Sequence, residues 1–161
     1  MSPISMTLRS REQGSLSNEV DHARARQGRS GSCLWLIRRF IDPDAQFEFL
    51  PKETDWPSVK NGTLFDVPGC ELGHKGENVS FDSILKKFGL DDPALRLLAE
   101  IVRAADSHPT NPHAAGEGLR WIAHGFSKLN LSDHELLDRE FSMYDALYAE
   151  CKERSVSQES R

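Results

Sequence analysis

The side chains best suited to ligating a metal or moving a proton are Glu71, His74, Asp106, His108, His113, His124, His134 and Glu135. No two of them share the spacing of a ready-made site. The sequence has no His-Glu-x-x-His, no histidine pair at i, i+4, no Gly-x-Ser-x-Gly elbow and no phosphate-binding Gly-Lys loop. Any site is therefore assembled from separated segments. His74 sits in GHKG, where the flanking glycines let the backbone approach a ligand closely or simply permit a tight turn. Glu71 precedes it in CELGHKGE and shares a site with it only if that loop folds back.

Asp106 ends the helical run IVRAAD, against the negative end of the helix dipole, where a metal, an arginine or plain solvation must compensate it. His134 lies in SDHE at a helix start, whose free N–H groups favour an oxyanion or a neutral, metal-ligating imidazole. Arg38 and Arg39 are candidates for an anion contact, but adjacent helical positions point about 100° apart, so at most one faces a given site. Cys33 reads as a small packed residue rather than a nucleophile, and His108, His113 and His124 read as surface or packing residues.

The elements that must position these groups follow from periodicity. LWLIRRFI is helical and stops at Asp42-Pro43, because a residue before proline is pushed out of the α region. AQFEFLP alternates as a strand, and TLFDV, entered at Asn61-Gly62, reads as a second. From Ser80 onward four helices follow. Phe81, Ile84, Leu85 and Phe88 face the core in the first, which Gly89 ends. Asp92-Pro93 opens the second. The third, from Ala114 to Lys128, turns Leu119, Ile122, Ala123 and Phe126 inward. The fourth starts with the capping box Ser132-x-x-Glu135 and buries Leu137, Phe141, Tyr144 and Tyr148. The expected class is α+β, predominantly α: an N-terminal helix and a short two-stranded β-ribbon packed on a bundle of about four helices.

With 161 residues, 38% of them hydrophobic and 28% charged, the chain suffices for one domain with a real core. The expected organisation is a disordered arm over 1–32, a folded domain over 33–153 and a frayed tail over 154–161. Five arginines against three acidic residues give 1–30 an excess of +2, while the whole chain carries −5, which excludes a polyanion binder. Three cysteines without a C-x-x-C pairing exclude a disulfide framework and a zinc ribbon, and favour a reducing, cytoplasmic setting. No apolar run approaches a membrane span, and no membrane association is expected.

LWLIRRFIDPDAQFEFLP, FDVPGCELGHKG, FDSILKKFGLDDPAL, LAEIVRAAD and SDHELLDREFSMYDALYAECKE resemble, in order and spacing, the C-terminal domain of the chromate-resistance protein ChrB family. The resemblance covers 33–153 and implies a role in bacterial chromate resistance, with stress response and chromate-responsive transcription regulation as its setting. It attaches no secure reaction to the domain. Glu71, His74, Asp106 and His134 all fall inside the matching blocks, which suggests one ligand or metal site gathered from the glycine loop, the end of one helix and the start of the last. Mixed nitrogen and oxygen ligands of that kind suit a first-row divalent cation such as Fe, Mn or Zn better than the chromate dianion, which two carboxylates would repel.

The sequence departs from the family twice. The pattern D-R-x-x-C-P-W before the tryptophan is here Arg29, Ser30, Gly31, Ser32, Cys33, Leu34, Trp35. The additional N-terminal region of the longer regulators has no counterpart, so DNA binding by this chain alone is not expected. Three functional readings stand. The first is a metal- or oxyanion-binding sensor or accessory module, with chromate or a metal ion as ligand and other proteins of a chromate-resistance operon as partners. The second is a metal-dependent redox or detoxification enzyme. The third is a degenerate standalone domain without a working site.

Overall fold

A computed structural model describes residues 23–26, 31–45, 47–50, 53–59, 63–65 and 69–159. The arm expected over 1–32 lies outside the described residues except at Ala23–Arg26 and at Gly31 and Ser32. Five helices carry the structure: α1 (Gly31–Phe40), α2 (Ser80–Phe88), α3 (Pro93–Asp106), α4 (Ala115–Phe126) and α5 (Asp133–Glu159). α5 runs to Glu159, into the stretch over 154–161 expected to fray, whose last two residues lie outside the described ones. Among the described residues, no helix is long and apolar enough to cross a membrane.

The α+β class with its two-stranded ribbon is overturned. Helices form the described fold, and the two segments expected to pair do not pair with each other. The extended segments are short: β1 (Ala23–Arg26), β2 (Phe47–Leu50) and β3 (Thr63–Phe65). β1 lies between the other two and runs parallel to both, Ala23 facing Phe47 on one side and Thr63 on the other. At three or four residues each they add no β layer. A ribbon needs a connection of a few residues, whereas residues 51–62 separate β2 from β3 and include the 3-10 turn Trp56–Ser58. Alternation along a strand identifies a pleated segment but not its neighbour.

α1 is the central element. Ser32, Cys33, Leu34, Trp35, Leu36 and Ile37 are all buried, so the first two turns of this helix are enclosed on every side, while Arg39 in its last turn is exposed. α2, α3 and α5 pack around it with Phe81, Ile84, Leu95, Leu98, Val102, Leu137 and Phe141. An aromatic cluster ties α1 to α5: the Trp35 ring lies 5.5 Å from Phe40, 6.0 Å from Tyr144 and 5.6 Å from Tyr148.

Local signals fix the helix ends. Asp92 accepts a hydrogen bond from Ala94 N at 2.7 Å with Pro93 behind it, an N-cap followed by proline at the first helical position. Gly89 adopts φ 62° and closes α2, a backbone conformation that a β-carbon disfavours. The capping box of α5 forms: Ser132 N donates to Glu135 Oε2 at 2.9 Å, and Glu135 N donates to Ser132 Oγ at 3.4 Å. α4 differs from expectation. Leu119 is buried, but Ile122 is 47% exposed and Trp121 72% exposed, so one face of this helix is left to solvent.

Candidate functional site

A cleft of about 500 Å³ opens where the start of α1, the end of α3, the inner side of α4 and the middle of α5 meet. Gly31 and Ser32 line it from α1, Asp106, Ser107 and His108 from the end of α3, Arg120 and His124 from α4, and Glu140 and Tyr144 from α5. That size falls within the range of small-molecule pockets.

Each wall has a local cause. The last carbonyls of α3 have no partner within their own helix. Arg120 reaches over from α4 and serves them, with Nε donating to Ala105 O at 2.9 Å and Nη2 to Ala104 O at 2.6 Å and Ser107 O at 3.1 Å. Its guanidinium thus supplies positive charge at the dipole end where Asp106 stands. α4 comes this close to α3 because position 116 is glycine: a β-carbon there would lie 2.4 Å from Ala104 Cβ.

Glu140 forms the opposite wall. Its carboxyl lies against Gly31, and a β-carbon at 31 would fall 2.5 Å from Glu140 Oε2. Burial pushes this carboxyl up to about 7, so the acid is part protonated at neutral pH. One turn further along α5, Tyr144 is 7% exposed. Burial, and then the nearby negative charges of Asp106 and Glu140, push its phenol well above the ordinary range, while a side-chain hydrogen bond to Ser32 acts in the opposite direction. The cleft therefore joins two carboxyl groups, two imidazoles, a phenol, three serine hydroxyls and the Arg120 guanidinium. That set can accept hydrogen bonds and bind positive charge, and one of its acids is poised to exchange a proton near neutrality.

Of the four residues read from the sequence as one site, Asp106 lines this cleft. Glu71 lies at a separate depression with Lys75, Asn78 and Lys87, exposed to solvent. Lys87 Nζ donates to its Oε2 at 2.6 Å and holds its carboxyl below the usual range. His74 is exposed in a tight turn: Lys75 N donates to Asn78 O at 2.9 Å, Asn78 N returns the bond at 3.1 Å, and Gly76 takes φ 64°. His134 is exposed in the first turn of α5 and lines neither depression. Arg38 donates to Ala45 O at 2.8 Å and packs over the rings of Phe47 and Phe141 at 5.1 and 5.3 Å. Arg39 is paired with Asp145. Among the described residues, no group of three or more His, Cys, Asp or Glu side chains is arranged to hold a metal ion.

The sequence reading weighed His108 and His124 and set them aside as surface or packing residues, placed Tyr144 in the core, and did not name Glu140. One signal was present. Glu140 and Tyr144 are spaced i, i+4 on α5, so the acid rides on the same face as a ring already placed in the core.

The family model described as ChrB, C-terminal domain, matches residues 29–151. The chain belongs to this family. Every residue named above as lining the cleft falls inside the matched region. This ChrB-related chromate-resistance domain is 37% identical over 118 residues to Protein ChrB of Cupriavidus metallidurans. The match covers 73% of the present chain and 36% of that relative, so the ChrB domain spans about a third of the longer protein. No solved structure matches the chain.

Proposed function

We propose that this ChrB C-terminal domain is a sensor or accessory module of a bacterial chromate-resistance system and that it takes its ligand in the cleft between α1, α3, α4 and α5. The observation that carries this reading is the convergence of Asp106, His108, His124 and Glu140, from three different helices and a helix end, on one concave surface. Scattered capping and solvation roles do not call for such a gathering.

The charge of the walls selects the class of ligand. Chromate is a tetrahedral dianion and needs donors. The guanidinium of the cleft is turned onto the carbonyls of Ala104, Ala105 and Ser107, while the Asp106 carboxylate would repel a dianion. A divalent cation such as Mn²⁺, Fe²⁺ or Zn²⁺ suits the carboxyl and imidazole groups better. The domain then senses or buffers a cation within the chromate response, in the cytoplasm, and acts on other proteins of the system.

Equilibrium titration with Mn²⁺ followed by electron paramagnetic resonance tests the reading, with Asp106→Asn and His124→Ala as variants. Binding that both variants weaken supports the cleft. Tight chromate binding that needs no metal and resists sulfate competition overturns the preference for a cation.

A further inference from the structure

α4 has two unlike faces. Gly116 and Leu119 are buried, and Arg120, Ala123 and His124 line the cleft. Gly118, Trp121, Ile122 and Gly125 share the opposite side, within an arc of about 100°. Leu129 follows in the turn that closes the helix, where its N–H donates to Phe126 O at 3.2 Å. Trp121 is 72% exposed, Ile122 47% and Leu129 50%. Single apolar residues at a surface are ordinary, but these adjoin one another and no charged side chain interrupts the arc.

The two glycines of this face have no use within the chain. Neither takes a positive φ, so the backbone does not require glycine there. A β-carbon at 118 or 125 meets nothing within 4 Å, whereas one at 116 collides with α3. Each glycine nonetheless costs the helix about 1 kcal/mol relative to alanine. Bare backbone on an apolar face lets a second helix approach closely, because the distance between helix axes follows the side chains at the contact.

The face is complementary to itself. Two copies of α4, antiparallel about a twofold axis level with Ala123, set Trp121 of each copy against Gly125 of the other, a large ring over bare backbone. Glu117, in the first turn, then comes level with Lys128 and Leu129 of the other copy, so opposite charges meet at both ends of the contact. A parallel arrangement sets like charges together. Trp121 Nε1 donates to Glu117 Oε1 at 2.7 Å, which holds that carboxylate at the edge of the face.

We propose that the exposed face of α4 docks against the same face of a second copy of this chain, antiparallel, with Trp121 of each seated over Gly125 of the other. One helix face is smaller than the roughly 800 Å² per partner of a standard interface, so the dimer is weak and concentration-dependent. Arg120 and His124 stand on the same helix, so the two clefts flank the contact. The pairing holds whether or not the cleft takes a cation.

Sedimentation velocity of the full chain from about 10 μM to about 1 mM tests this, with folding of each variant checked by circular dichroism. The expected result is a mass that rises with concentration from the 18.1 kDa of one chain toward twice that value. Trp121→Gln and Gly118→Gln should each weaken association by about tenfold or more. Lys128→Glu should weaken it through repulsion from Glu117 of the other copy. Val156→Gln, which removes a 66% exposed apolar residue of α5, should leave it unchanged. A monomer at every concentration overturns the proposal, as does association that survives Trp121→Gln or that Val156→Gln weakens equally.

Discussion

Trp35 and Asp145 are joined across 110 positions of sequence by a hydrogen bond of 2.7 Å, in which the buried indole Nε1–H donates to Asp145 Oδ1. The same carboxylate receives Arg39 through Nε at 2.9 Å and Nη2 at 2.7 Å. One side chain of α5 thus satisfies the only polar atom of a core tryptophan and anchors the arginine one turn along α1. Asp145→Ala leaves the indole N–H buried without its acceptor and should destabilise the domain by about 1–3 kcal/mol. Asp145→Asn, which keeps an acceptor, should cost less. Urea denaturation of the two variants checks the order. Arg39 holds the Asp145 carboxyl below its usual range. The pair's contribution is therefore present above the ordinary aspartate value of about 3.9, and is lost as pH falls through the lowered folded value.

Glu140 has the opposite sign. Burial raises its carboxyl to about 7 in the folded state, against about 4.3 for an ordinary glutamate. The folded state holds this proton more tightly, so the contribution is fully present below about 4.3 and is lost as pH rises through about 7. Its carboxyl lies against Gly31 and shares the cleft with Asp106, Arg120, Tyr144 and the two imidazoles. Glu140→Gln should raise the melting temperature relative to the parent at pH 8, with the gap much smaller at pH 5 and closing only below about 4.3. Equal gaps at both pH values would contradict the buried acid.

Gly116 and Gly118 lie on the same helix and should respond in opposite ways to alanine. A β-carbon at 116 would stand 2.4 Å from Ala104 Cβ and 2.9 Å from the Ala104 carbonyl carbon, whereas one at 118 meets nothing within 4 Å. Gly116→Ala must push α4 off α3 and should cost about 1–3 kcal/mol. Gly118→Ala should stabilise the helix by about 0.5–1 kcal/mol. Thermal and chemical denaturation of the pair separate packing from propensity, since the two changes are chemically identical.

Asp82 is shared between two tasks. Oδ2 accepts from Val79 N at 2.9 Å at the start of α2, and both oxygens accept from Arg103 of α3, at 2.6 and 3.1 Å. The side chains are 14% and 28% exposed, so the pair is better shielded than a surface salt bridge. Asp82→Ala should cost about 2–3 kcal/mol. A double-mutant cycle with Arg103→Ala should return a positive coupling energy, because the arginine is left partly buried and unpaired in the single variant.

The legible part of the fold was local. Asp92-Pro93, Gly89 and Ser132-x-x-Glu135 act within a few residues of themselves, and each signal ends or begins a helix where it stands. The stripe Leu137, Phe141, Tyr144 was legible for the same reason, as one helix face is a property of spacing alone. Ile122 marks the boundary of this reasoning. Its spacing fits an inward face, but whether a face is covered depends on which helices lie beside it, and α4 meets α3 through Gly116 and Leu119 instead.

By itself, then, the sequence determined the helices, the caps of α3 and α5, the glycine end of α2, the family and a set of polar residues worth watching, whereas α2 starts after Val79, whose N–H bonds to Asp82, and not after a Ser80 cap. The tertiary structure decided the partners of the extended segments and the membership of the site. β2 and β3 each lie beside β1 rather than each other, because strand pairing is a long-range choice that alternation does not encode. Asp106 shares a cleft with Glu140 and Tyr144 because α3 ends near the place where α5 lies against the start of α1, and Glu71 instead pairs with Lys87. Spacing along a chain orders side chains around one axis, and only the packing of several axes brings groups from different helices into one cleft.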